Sequence, residues 1–150
     1  MLNVGAKRSG DRGWFIAEWT LFVIWLAAAV AAMYPTLGKA FHLYGGVFGS
    51  YAADLTFPAW FYIQLRRRPS RLLRRIRWFG KTPELAAGSI FLVGLLSEVS
   101  QYYWPKGIFH GTFDPFDIAA YGAGLLVCYG ADALEARRAG ETLARQAQSS

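Results

Sequence analysis

The sequence is short of most groups from which soluble catalytic and metal sites are built. In 150 residues it has one cysteine, Cys128, and two histidines, His42 and His110. A single thiol excludes an internal disulfide and a cysteine metal cluster. Acids are scarce as well, 10 against 16 lysines plus arginines. There is no HExxH, no paired histidine motif and no GxSxG, so the zinc-protease and serine-hydrolase classes have no signature here. No metal site and no cofactor is expected, and no internal repeat is visible.

What the chain has in quantity is apolar surface. Hydrophobic residues make up 54% and aromatics 17%, high for a soluble domain of this size. A bilayer core takes about 20 apolar residues of helix. Four segments meet that need, at about 14–34, 43–65, 83–104 and 115–134. The first is too long for a signal h-region and holds Glu18 and three tryptophans, so it reads as a retained span.

The net charge of +6 comes largely from one stretch. Arg66, Arg67, Arg68, Arg71, Arg74, Arg75, Arg77 and Lys81 lie within 16 residues with no acid among them. Placed between two apolar runs, such a cluster fits a cytoplasmic loop and not a nucleic-acid site. Of the other eight, three fall before the first span (Lys7, Arg8, Arg12) and three after the fourth (Arg137, Arg138, Arg145), while the loops after spans one and three carry one each, Lys39 and Lys106. With four spans, all three segments lie on one side. Both termini are then cytoplasmic, and the loops 35–42 and 105–113 face outward.

The expected fold is therefore all-α: a polytopic bundle of four transmembrane helices plus a short interfacial amphipathic helix. Residues 1–13 form a cytoplasmic segment, 14–135 the transmembrane domain with its basic loop 66–82, and 136–150 a polar cytoplasmic tail. Within the loop, Leu72, Leu73, Ile76 and Phe79 recur at helical spacing. Arg71, Arg74, Arg75 and Arg77, with Trp78 at headgroup level, would anchor this short helix on anionic inner-leaflet lipid. Thr82-Pro83-Glu84 is a cap, an N1 proline and a first-turn acid for the third span. Gly45, Gly49 and Ala53 on span two, and Ala120, Gly124 and Cys128 on span four, repeat every four residues and predict close helix packing.

Ionisable residues within spans are costly and face the bundle interior or water. Glu18 lies near the cytoplasmic end of span one, within reach of Arg12 or the basic loop. Asp54 is near the middle of span two. Pro58, four residues on, has no N–H, which deprives the Asp54 carbonyl of its helical donor. Glu98 and Gln101 share one face of span three near its outer end. Asp114-Pro115-Phe116-Asp117 is a helix start. The short loop between these two elements adds Lys106 and His110. The spacing thus predicts an outward polar patch of Glu98, Gln101, Lys106, His110, Asp114 and Asp117, with Asp54 a candidate to join it. Carboxylates beside a histidine can act as a general base, which makes Glu98 and Asp117 the candidate catalytic groups.

Three pieces of sequence carry a family likeness. Glu98-x-x-Gln101, then Pro105-Lys106, then Asp117-Ile118 with Gly124 seven residues after the aspartate, resemble the VanZ-like membrane family. Asp54 to Pro58 (DLTFP) is similar to that family's N-x-x-x-F-x-P. Lys106 and Tyr121 stand where the family has arginine and asparagine. The resemblance implies a bacterial inner-membrane protein of the cell envelope, with a role in resistance to envelope antibiotics. It supplies no reaction. The expected function is binding of a lipid or lipid-linked headgroup at the outward patch. The alternatives are a membrane-embedded hydrolase or transferase acting on a lipid, a structural subunit of a membrane complex, and a small proton-coupled transporter. Expected partners are membrane lipids, anionic at the basic loop, and a lipid-linked envelope ligand.

Overall fold

The computed structural model describes residues 4–40, 46–67, 76, 78–104, 106 and 113–148. Five α-helices follow one another: α1 (Val4–Met33), α2 (Pro35–Ala40), α3 (Gly46–Arg66), α4 (Pro83–Tyr103) and α5 (Pro115–Gln148). There is no strand among the described residues, so the protein is an all-α bundle. Two stretches, Arg12–Met33 of α1 and Pro83–Tyr103 of α4, are long and apolar enough to cross a membrane.

The helix starts follow local chemistry. The Thr82 hydroxyl accepts from the Leu85 N–H at 3.2 Å, Pro83 takes the first helical position, and Glu84 sits in the first turn of α4. This is the cap expected from the sequence. At the head of α5, the Asp114 carboxylate accepts from the Phe116 N–H at 2.9 Å. Both caps satisfy amides that have no carbonyl partner within the helix.

α3 is the hub, packing against α1, α4 and α5, while α5 also packs on α4. Rings make the α1–α3 seam: Trp25 stacks on Trp60 with centroids 6.3 Å apart and planes 2° from parallel, and Phe22 and Phe57 flank them. Small residues make the α3–α5 seam. A Cβ at Gly124 would stand 2.1 Å from the Leu55 carbonyl oxygen, and the Cys128 thiol lies 3.7 Å from the Ala59 carbonyl. The small-residue ridge expected on span four thus packs within the chain, bringing the α5 backbone against α3.

The helices depart from the expected spans at their ends. α1 begins at Val4, α5 continues as helix to Gln148 through the segment read as a polar tail, and the loop after α1 holds the short α2. The amphipathic helix expected around 71–79 lies mostly outside the described residues, Arg71, Arg74, Arg75 and Arg77 among them. Within it, Ile76 and Trp78–Gly80 have tight helical turns, and Trp78 is exposed.

Candidate functional site: an acid and tyrosine cluster at one end of the bundle

Three helices bring acids to one end. On α3, Tyr51 and Asp54 are three residues apart. On α4, Glu98 and Gln101 are three apart. On α5 and its cap, Asp114, Asp117 and Tyr121 follow at three and seven. Each set shares one helical face. The antiparallel run of α4 into α5, and the packing of both on α3, turn those faces toward each other.

Glu98 is the buried centre, 1% exposed. The Tyr121 hydroxyl donates to Glu98 Oε1 at 3.4 Å, the Gln101 amide donates to the same oxygen at 3.4 Å, and the Asp114 N–H approaches Oε2 at 3.5 Å. Asp54 on α3 faces Tyr121 and Asp117 on α5, close enough for the three polar groups to interact electrostatically. The Tyr51 hydroxyl donates to Asp114 Oδ2 at 3.4 Å. Asp54, Asp114 and Asp117 are half-buried, so the cluster is reachable from its own end.

Gly94 explains how Tyr121 gets there. A Cβ at position 94 would lie 2.9 Å from the Tyr121 ring. The bare backbone of α4 leaves the space in which that ring lies, one turn from Glu98.

Asp54, Glu98, Gln101, Asp114 and Asp117 are therefore brought together, and Asp54 joins the other four. Lys106 is exposed in a turn at the same end. His110 lies outside the described residues. Sequence reasoning missed Tyr51 and Tyr121 as members. Their signal was present: each sits at helical spacing from an acid already singled out. Among the described residues, no three His, Cys, Asp or Glu side chains are grouped so as to hold a metal ion. The donor set is carboxyl oxygens and phenol hydroxyls, which suits hydroxyl and ammonium groups better than phosphate.

A second polar cluster, at the opposite end, was not expected. Asp132 is 3% exposed. It accepts from the Tyr62 hydroxyl at 2.9 Å, from Arg66 at 2.7 and 2.8 Å, and from Arg67 at 2.6 Å. Arg66 also donates to the Gly80 and Lys81 carbonyls, both at 3.1 Å. Arg67 pairs with Glu135 as well, and its guanidinium lies 4.8 Å from the Trp14 ring. The Trp14 indole donates to Glu135 at 2.9 Å. Nearby, the Gln64 amide donates to Glu18 at 2.6 Å, so Glu18 finds a partner on α3. Two of the eight clustered basic residues are thus committed to acids of α5. Along α3, Asp54 and Arg66 are 12 residues apart, about 18 Å at ~1.5 Å per residue.

No family model, no curated protein and no solved structure matches the chain.

Proposed function

We propose that this chain is a four-span, VanZ-like protein of the bacterial inner membrane with both termini cytoplasmic. The acid and tyrosine cluster at its outer end would receive the polar headgroup of a lipid or lipid-linked envelope ligand. One observation carries the reading: Asp54, Glu98 and Asp117, from three different helices, converge around the Tyr121 hydroxyl.

The membrane setting draws support from what is buried and what is not. Much of the interior is small or polar, Ala59, Ala86, Cys128, Thr56, Glu98 and Asp132 being buried alongside Tyr62, Ile63, Leu65 and Leu125. The outside carries large apolar side chains, with Val23, Val93, Leu126 and Val127 all more than half exposed. Small residues inside and bulky apolar residues outside suit a lipid solvent. Tyr102, Tyr103, Trp104 and Phe116 are exposed beside the acid cluster, where they suit a membrane–water interface. Acids held at that level, partly open, favour a ligand with hydroxyl or ammonium donors.

The test is to purify wild-type, Glu98→Gln and Asp117→Asn proteins at matched yield. Binding of a glucosyl-diacylglycerol would be compared with that of phosphatidylcholine by thermal shift. The glycolipid should stabilise the wild type selectively, and both variants should lose that shift. Equal shifts in all three proteins would sink the reading. The closeness of two carboxyl groups, Asp54 and Asp117, favours one other reading, acid–base hydrolysis or transfer on a lipid. Turnover of the glycolipid that disappears in Asp117→Asn would select it.

A further inference from the structure

Between α4 and α5 lies an open groove of about 490 Å³, separate from both polar clusters. Its walls are Ala87, Gly88 and Phe91 on one helix and Gly122, Leu125 and Leu126 on the other, with Glu84 and Tyr129 at one end. Glycines create it. A Cβ at Gly88 would meet nothing within 4 Å, and one at Gly122 would meet only the Phe91 ring, at 3.6 Å. That ring closes the groove at its inner end.

The groove has a length and a polarity. From Glu84 to Phe91 is seven residues, about 10 Å along the helix axis. Half of a bilayer's hydrocarbon core is about 15 Å. The groove therefore fits within one leaflet, whereas a partner helix would seek a seam along most of the 21 residues of α4. Its open end lies where the basic stretch enters α4. Arg66 holds the Gly80 and Lys81 carbonyls, which fixes the backbone there and leaves the Lys81 side chain exposed three residues before Glu84. The acid at the mouth is engaged: the Tyr129 hydroxyl donates to Glu84 at 3.4 Å.

We propose that this groove seats one acyl chain of an anionic glycerophospholipid from the cytoplasmic leaflet, with the phosphate at Lys81. Charge complementarity selects the lipid: Lys81, exposed three residues before Glu84, offers its ammonium to a phosphate at that end. The apolar walls select the chain, because water there would find no partners. The proposal rests on the membrane-spanning reading above but is independent of the ligand at the acid cluster.

The experiment uses the full chain in phosphatidylcholine vesicles. A trace of phosphatidylglycerol carries a diazirine midway along one acyl chain, and adducts formed on illumination are mapped by mass spectrometry. Adducts should concentrate in residues 84–91 and 122–129. Gly88→Leu, at a position where an added Cβ meets nothing within 4 Å, puts a side chain into the groove and should lower them several-fold at unchanged melting temperature. Lys81→Gln should abolish the preference over the same diazirine on phosphatidylcholine. Adducts spread equally over the exposed face of α1 and untouched by Gly88→Leu would overturn the proposal. So would efficient Gly88→Cys crosslinking between two copies, which would mean that a second chain covers the groove. An alkaline carbonate wash separates the two failures. Release of the protein removes the membrane reading and this proposal together, while retention with unselective labelling removes the groove alone.

Discussion

The Tyr121 hydroxyl donates to the Glu98 carboxylate at 3.4 Å and faces Asp54 as well, so one phenol of α5 stands between an acid of α4 and an acid of α3. It is the shared contact of two acids that would otherwise face each other without a common partner. Its position depends on Gly94, whose missing side chain leaves room for the ring.

Tyr121→Phe keeps the ring and removes the shared hydroxyl. The Glu98 side chain stays buried with one partner fewer. The expected cost is about 1–3 kcal/mol of stability, the range for a buried polar group losing its partner. Unfolding of the detergent-solubilised protein by heat or added SDS measures it. Gly94→Ala should act in the same direction by pushing the ring away.

Asp132→Ala should be the more damaging change at the opposite end. It leaves Arg66 and Arg67, whose side chains are 18% and 27% exposed, without their common acceptor. Breaking a buried ion pair on one side costs about 3–5 kcal/mol. Asp132→Asn keeps an acceptor for Tyr62 and Arg66 and should lose clearly less. The same unfolding assay ranks the two variants, and equal losses would show that the carboxylate's charge, not its packing or its acceptor oxygen, decides the site.

Gly124 and Gly130 make a matched pair on α5. A Cβ at Gly124 collides with the Leu55 carbonyl, while one at Gly130 meets nothing within 4 Å. Gly124→Ala must part α3 from α5 and should destabilise by about 1–3 kcal/mol, as overpacking does. Gly130→Ala should stabilise by about 0.5–1 kcal/mol through helix propensity alone.

Topology can be read with single cysteines. Cys128 is buried against the Ala59 carbonyl and should stay silent to a maleimide in the folded protein. In intact cells, Lys106→Cys should react with a membrane-impermeant maleimide, and Arg137→Cys should react only after permeabilisation. Labelling of both, or only of Arg137→Cys, would reverse or remove the proposed orientation.

Much of the local structure was legible from residue order. The caps at Thr82 and Asp114 follow from side chains that can bond the next free amides, a contact spanning two or three residues. The pairing of Glu98 with Gln101 follows from helical pitch. The grouping of Glu98 with Asp114 and Asp117 follows from the short connection between antiparallel helices. Asp132 was less legible. It lies four residues after Cys128 and eight after Gly124, on the face that packs α3, but it sits among residues that read as the polar end of a span. Arg66 and Arg67 looked like surface charge because their partners are more than 60 residues away.

The sequence by itself determined that this chain is helical, where α4 and α5 begin, and which side chains share a face. Those are consequences of hydrogen bonds and pitch within a few residues. Only the tertiary structure decided which face meets which. The rotation of α3, α4 and α5 about their own axes is set by where backbones can approach. Gly94 and Gly124 make that choice by what they lack. Asp54 therefore meets Tyr121 and Asp117 at one end, and Asp132 meets Tyr62, Arg66 and Arg67 at the other. No spacing along the chain contains those pairings, because they depend on the angle between helices and not on the distance along one.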